Sequence, residues 1–281
     1  FNAVNLQKFI LNKLEASKNI NIIKQNITSD QIDADHIINC TGFPYDFSQY
    51  IESEYIPVNT AYVTQCFWEY PRFNHTLTIA RPYGWVFGIP LQNRCAIGYL
   101  YNSNINSLEH VKEDVQNVFD ILNLIPSNIT NHLKFKNYYR QQNYTKRISY
   151  NGNASLFLEP LEATTINIIN RIKRWGIDII YNIPNAIEIC NNNYDRVVDE
   201  VETIIMLHYL GGSKFKTTFW DFAKERAYKK IEQAKASKTF IEFMEASKIN
   251  LNNNTSDFGT WDSSIMNQNI NIYKHFKLVV K

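Results

Sequence analysis

Asn151-Gly-Asn-Ala-Ser-Leu-Phe-Leu-Glu-Pro-Leu-Glu-Ala-Thr-Thr-Ile166 is the stretch on which the reading of this chain turns. A Gly-Asn-Ala turn runs into Phe157-Leu-Glu-Pro-Leu-Glu162, and Thr164 and Thr165 then open a long segment with apolar residues at helical spacing. The free backbone N–H groups and positive dipole end of a helix that starts there make a ready anion site. Glu159 and Glu162 lie just ahead of it. A carboxylate beside an anion pocket is electrostatically unfavourable unless it holds or moves a proton. Helix capping is the competing account, because acidic residues are favoured near a helix N-terminus. Small residues, a rigid proline and paired carboxylates so close together describe a backbone shaped to lie against a ligand.

A chain of 281 residues is long enough to bury a full core, in one large domain or two smaller ones. Its 29 basic and 27 acidic residues give a net charge of +2. That balance argues against a nucleic-acid footprint and against a polybasic membrane patch. No run of eighteen apolar residues and no signal peptide is visible, so a cytoplasmic protein is expected. Cys40, Cys66, Cys95 and Cys190 form no CxxC and read as reduced thiols. The six histidines show no HxxxH spacing, so no metal site is expected. Triplets such as Asn26-Ile27-Thr28 follow from the Asn-rich composition and are not read as glycosylation sites. Aromatic residues make up 14% of the chain, which suits both an aromatic core and the handling of flat ligands.

Leu6, Phe9, Ile10 and Leu14 predict a helix between Asn2 and Ser17, and Ile20 to Ile27 alternates like a strand. A chain that opens on Phe1 and enters a helix at once is expected to be the later part of something longer. Asp33 to Cys40 reads as a short strand leading to the turn Thr41-Gly42-Phe43, a common ligand-facing geometry at the carboxyl end of a strand, although a plain turn glycine gives the same pattern. The segments 62–70, 76–80, 84–90 and 95–101 are rich in aromatic and β-branched residues and predict an antiparallel sheet. Ser107 caps a predicted helix running to about Leu124. Strand-like stretches follow around 133–139 and 145–150, then helical spacing over 165–182, 194–210 and 216–247. The Asn-rich end is expected to be held by Trp261 and Met266.

In Gly84-Trp-Val-Phe-Gly-Ile-Pro-Leu91, strand alternation puts Trp85, Phe87 and Ile89 on one face, a wall of rings that either lines a cavity or fills a core. This segment, with Arg94 and Gly98-Tyr99-Leu100-Tyr101, resembles the Trp-x-Trp-x-Ile-Pro motif and flank of flavin-dependent tryptophan-type halogenases. Phe157 to Thr165 resembles the Glu-Pro-Leu-Glu segment of that family, and Cys40-Thr41-Gly42-Phe43 its Asp-Cys-Ser/Thr-Gly-Phe stretch. Leu207-His208-Tyr209 followed by Phe219-Trp220 is similar to its His-Tyr…Pro-Phe-Trp segment. The matches fall in family order and span residues 1–225.

The resemblance implies an α/β (α+β) fold of the FAD-dependent aromatic-hydroxylase type. Its parts are a remnant of the FAD-binding domain at 1–45, an antiparallel sheet domain at 46–150, a return segment with the halide site at 151–185, and a helical region at 186–281. It also implies a chemistry. Reduced FAD, oxygen and a halide ion yield hypohalous acid, which a lysine presents to an electron-rich, tryptophan- or indole-like aromatic substrate. Glu162 takes the catalytic glutamate position, and the backbone at Thr164 and Thr165 the halide position. Gly42, Gly152, Asn153, Pro160 and Leu161 take positions against the flavin, and Trp85, Phe87, Ile89 and Pro90 the wall that keeps organic substrate from it. A separate flavin reductase is the implied transient partner, and monomers or homodimers the implied assembly. Tyr194, Trp220, Phe222 and Trp261 are candidates for the substrate end.

The departures from the family pattern are specific. Asn39 stands where the family has Asp, Phe87 where it has a second Trp, Ala163 where it has Ser and Thr165 where it commonly has Gly. The nine glycines contain no Gly-x-Gly, so the GxGxxG fingerprint is absent from these residues, and no lysine matches the catalytic one. Both belong to the family's N-terminal region, so this chain by itself is expected to be inactive. A flavin-dependent aromatic hydroxylase and a non-catalytic remnant stay open beside the halogenase reading.

Overall fold

The computed structural model describes residues 3–161, 165–248, 257–262 and 265–267. The chain divides into two compact units, Phe1–Ile37 and Ile38–Lys281. In the first, helix α1 (Ala3–Glu15) forms where the apolar spacing predicts it, with none of its residues buried. The alternating run at 20–27 does not form a strand; these residues are exposed and irregular. Alternation alone does not make a strand: without a neighbour to complete the ladder, water takes the backbone hydrogen bonds. A single 3₁₀ turn at Ser29–Gln31 is closed by a capping box between Thr28 and Gln31.

The second unit holds most of the structure. After the short strands β1 (Ile37–Asn39) and β2 (Tyr50–Glu52) come β3 (Thr60–Phe67), β4 (Leu77–Arg81), β5 (Gly84–Pro90) and β6 (Arg94–Tyr101). Helix α2 (Leu108–Ile121) follows, begun by Ser107, whose Oγ accepts the His110 N–H at 3.3 Å as the cap position predicts. Then come β7 (Ile125–Lys134), β8 (Tyr138–Arg140), β9 (Ile148–Tyr150) and β10 (Leu156–Phe157). Helices α3 (Thr165–Ile180), α4 (Ala186–Gly211), α5 (Thr218–Ala234) and α6 (Lys238–Lys248) complete the body, with a small hairpin of β11 (Asp257–Phe258) and β12 (Trp261–Asp262). Left-handed Asn182 (φ 53°) ends α3, and left-handed Asn185 (φ 60°) precedes α4, a conformation asparagine tolerates better than most residues. The single helical segment expected over 216–247 is two helices, broken at 235–237, where the Ser237 N–H turns back to the Ala234 carbonyl.

The main sheet is antiparallel with strand order β4-β5-β6-β3-β7. Ten-residue β7 is the strand the sequence concealed, because its residues are almost all exposed and show no apolar alternation. Both faces of the sheet are covered. Val86, Ile97 and Tyr99 pack with Val111, Val115, Val118 and Phe119 of α2. Trp85 and Leu100 point the other way, into the larger core built by α3, α4, α5 and α6. Helix α4 is the axis of that core: Val201 to Leu207 are buried without interruption, the pattern of a helix surrounded by protein. Its buried Glu202 is matched by Lys230 of α5 at 3.2 Å. Phe258, Trp261 and Met266 are buried in the same core, so the two predicted anchors, Trp261 and Met266, are core residues. No helix among the described residues is long and apolar enough to cross a membrane.

One polar cluster ties α2 to the sheet. Asp114 accepts the Arg81 Nε–H at 2.9 Å and the Tyr99 hydroxyl at 2.8 Å, and a second Arg81 nitrogen completes a bidentate pair. Replacing Asp114 with Ala leaves a largely buried guanidinium and phenol without their acceptor. The expected cost is about 3 kcal/mol of folding stability, read as a lowered urea midpoint relative to the unaltered chain.

Candidate active site

Two turns meet at one edge of the second unit. The Asn151 N–H donates to the Asn39 carbonyl at 2.9 Å, which places the Thr41-Gly42-Phe43 turn beside the Gly152-Asn153-Ala154 turn. Each is shaped by its own residues. Asn39 Oδ1 accepts from the Thr41 N–H at 3.1 Å and the Thr41 hydroxyl at 2.8 Å, and Asn151 Oδ1 accepts the Gly152 N–H at 2.8 Å. Gly42 (φ +91°) and Gly152 (φ +59°) occupy backbone conformations that favour glycine, and among the described residues, chain neighbours aside, no atom lies within 4 Å of where a Cβ would stand on either. Both turns therefore present open backbone. Behind them, the Tyr138 hydroxyl donates to the Asn153 carbonyl at 2.6 Å and the Tyr50 hydroxyl to the Ala154 carbonyl at 2.8 Å. Phe43 packs on Phe157, ring centroids 5.1 Å apart.

Strand β5 supplies the ring wall. Trp85 is buried, Phe87 half-buried, and their ring centroids lie 6.2 Å apart. Phe87 lies directly across from Gly98 in β6, and a Cβ there would stand 2.1 Å from the Phe87 ring. The ring is therefore seated in a notch that exists only because residue 98 has no side chain. Ile89 continues the same face but is exposed, and Pro90 is half-buried, so the tightly packed part of the wall is Trp85 and Phe87.

The carboxyl of Glu159 meets this wall. It is 0% exposed, and its Oε2 accepts the Trp85 indole N–H at 3.0 Å and the Tyr209 hydroxyl at 2.7 Å. The indole N–H also lies 2.9 Å from the Tyr209 oxygen, closing a three-membered ring of polar groups. The other oxygen, Oε1, is buried without a hydrogen-bond partner among the described residues. Burial pushes this carboxyl up to about 7, while the Tyr209 and Trp85 donors pull it down. The Tyr209 phenol is raised well above its ordinary value, first by burial and then by the facing carboxyl. Tyr209 in turn packs on Trp220 at 5.8 Å, and the Trp220 indole N–H donates to the Arg81 carbonyl at 2.7 Å.

Glu159 does not cap a helix, the alternative open to it from its place in the sequence, because its donors come from β5 and α4. Pro160 is exposed and Leu161 buried, and Thr165 is the first residue of α3. Glu162 and Thr164 lie outside the described residues. Of the four aromatic candidates for a substrate end, Tyr194, Trp220 and Trp261 are buried in the core, and the Tyr194 hydroxyl is committed to the Ser155 carbonyl at 3.1 Å. Phe222 instead lines a cleft of about 320 Å³ with Arg226, Lys136 and Asn137. The residue that sequence reasoning left without a role is Tyr209, although it sits in one of the quoted motifs.

The sequence profile described as tryptophan halogenase matches residues 8–275. The chain belongs to the tryptophan halogenase family. Within it, the chain is 26% identical over 159 residues to the tryptophan 6-halogenase of Streptomyces toxytricini, covering 54% of this chain and 29% of that protein. It is 24% identical over 213 residues to the 7-chloro-L-tryptophan 6-halogenase of a Kutzneria species, covering 70% of this chain and 40% of the relative. The chain thus spans well under half the length of these two family members. A solved tryptophan halogenase from Shewanella frigidimarina superposes on 100% of the chain and 57% of its own, with a TM-score of 0.67 at 15% identity. A flavin-dependent halogenase from a Brevundimonas species superposes on 72% of the chain and 44% of its own, with a TM-score of 0.59 at 24% identity. The mixed α/β fold expected from the motifs is the fold of this family.

The raised Glu159 carboxyl has a measurable consequence. Unfolded, it would lose its proton near pH 4.5; folded, it keeps the proton to about pH 7. Between those values the folded state holds the extra proton, so its contribution to stability is complete below about pH 4.5 and is lost as pH rises to about 7. By linkage the loss is on the order of 3 kcal/mol. Glu159→Gln removes this slope, so relative to the unaltered chain it is expected to gain urea resistance between pH 5 and pH 8.

Proposed function

We propose that this chain is the flavin-side and helical part of a flavin-dependent halogenase acting on an electron-rich, indole-like aromatic. The observation that carries the reading is a convergence. Trp85, Glu159 and Tyr209 come from three separate motifs of the chain, and they meet in one buried hydrogen-bonded ring. Trp220, from the same segment as Tyr209, packs against it. That motifs so far apart in sequence close on one point supports reading them as one site.

The residues present fit a flavin. The open backbone at Gly42 and Gly152, with room where a Cβ would stand on each, suits the close approach of a flat ring system. Gly42, Gly152 and Asn153 would hold it, with Pro160 and Leu161 leading toward the halide position. When bound, reduced FAD supplies the electrons by which oxygen, halide and a proton become hypohalous acid and water. The rest is work for the chain. Backbone N–H groups at Thr164 and Thr165 would hold the halide at the start of α3, where the helix dipole favours an anion. Glu162 would hold or move the proton of the halogenating step. Trp85 and Phe87 would exclude the aromatic substrate from the flavin side, which favours a halogenase over a hydroxylase that must admit its substrate there. Hypohalous acid then exchanges its halogen for a ring hydrogen of the arene and leaves water. A lysine outside the quoted motifs, FAD reduced by a separate reductase, and a cytoplasmic setting complete the proposal.

The test is product formation by the full-length protein with FAD, a flavin reductase, NADH, oxygen and either chloride or bromide. Halogenated indole is expected only with halide present, and Glu162→Gln is expected to lower its rate about 100-fold or more with flavin reduction unchanged. Oxygenated product that forms without halide would instead mark the protein as a hydroxylase.

A further inference from the structure

Glu159 has no part in the proposed chemistry, yet its carboxyl is completely enclosed by protein. The geometry around it is specific. Two donors from different elements, the Trp85 indole of β5 and the Tyr209 hydroxyl of α4, converge on one of its oxygens. Behind Tyr209 stand Phe219 and Trp220 of α5, which bring no charge. No ion pair reaches the carboxyl among the described residues, and the only titratable side chain bonded to it is Tyr209. An apolar residue at 159 would leave the buried indole N–H with only the Tyr209 oxygen to bond. A glutamine would replace the unpartnered Oε1 with an amide or misplace the acceptor. Core packing alone does not call for a carboxyl at such a place, since a buried polar atom without a partner costs free energy.

We propose that Glu159 is the positioning residue of the ring wall: it locks the Trp85 indole to α4 through Tyr209, and so sets how completely the protein separates oxygen chemistry on the flavin from its organic substrate. The ring itself is independent of the halogenase reading; the consequence for selectivity rests on it. Trp85 is joined to Phe87 along β5, and Phe87 is confined by Gly98, so an indole released from Glu159 would loosen the whole packed part of the wall. Glu159 also lies three residues before Glu162, so one segment would carry both the wall's anchor and the group proposed to work on the halide.

Two measurements on the full-length protein test this. In the first, tryptophan is labelled with ¹⁵N at the indole, and the Trp85 N–H signal is assigned by its loss in Trp85→Phe. The expected result is a Trp85 signal that moves with pH in one transition near neutrality, becomes invariant in Glu159→Gln, and titrates at higher pH in Tyr209→Phe, which removes a donor that favours the ionised carboxyl. A Trp85 signal that ignores pH, or that titrates unchanged in Glu159→Gln, overturns the ring. In the second, the ratio of halogenated product to hydrogen peroxide is measured at saturating halide. Glu159→Gln and Glu159→Leu are expected to lower it at least fivefold while the protein stays folded and flavin oxidation continues. An unchanged ratio in folded Glu159→Gln overturns the role in selectivity. The failures are distinguishable: absence of halide-dependent product from the unaltered protein defeats the halogenase reading and the selectivity role with it, whereas the indole signal decides the ring in either case.

Discussion

A carboxyl group with no counter-charge among the described residues, enclosed by protein and held by two neutral donors, is an unstable element unless everything around it is fixed. Glu159 is in that position. Its donors cannot drift without leaving the carboxyl bare, so the indole of β5, the phenol of α4 and the segment that leads into α3 are constrained together. The same contact joins the two halves of the second unit. The sheet contributes Trp85, and the helices contribute Tyr209 and Trp220, which itself returns a hydrogen bond to Arg81 of β4. Much of the surrounding packing can be understood as support for that junction.

The support is layered. On the far face of the sheet, Asp114 holds Arg81 and Tyr99, so the strand that receives the Trp220 N–H is itself pinned to α2. On the near face, α4 is buried on all sides along its centre and cannot turn to solvent without exposing Val201 and Ile204 to Leu207. The two glycine turns are built differently. Their conformations come from asparagine side chains folding onto their own backbone and from two glycines at positive φ, and the pairing of β1 with β9, continued by the Asn151 to Asn39 bond, couples them. Local hydrogen bonds shape these turns, and long-range burial shapes the wall.

That division explains what was legible in the sequence. Strands β5 and β6, helix α2 with its Ser107 cap, and the start of α3 show themselves because their apolar periods and cap residues are local signals. Strand β7 was hidden because it owes its structure to pairing with β3 and carries almost no buried side chain. The run at 20–27 misled for the opposite reason, having the alternation without a partner. At the site, Trp85 and the Gly-Asn-Ala turn were readable from the residues. The ring of Glu159, Trp85 and Tyr209 was not, because it joins positions 74 and 50 residues apart, and nothing local to Glu159 distinguishes it from a helix cap. Cys66 and Cys95, far apart in sequence, likewise turn out to face each other across β3 and β6 as free, buried thiols.

The notch beneath Phe87 binds two distant positions into a single mutational unit. Because any side chain at residue 98 would collide with the ring, ring size at 87 and the bare backbone at 98 cannot drift independently. Enlarging residue 98 would require a smaller residue at 87, and the pair would show large non-additivity when changed one at a time and together. Among relatives, the identity of the second wall residue should therefore follow the residue that faces it across the sheet, so that the width of the barrier is inherited as a matched pair.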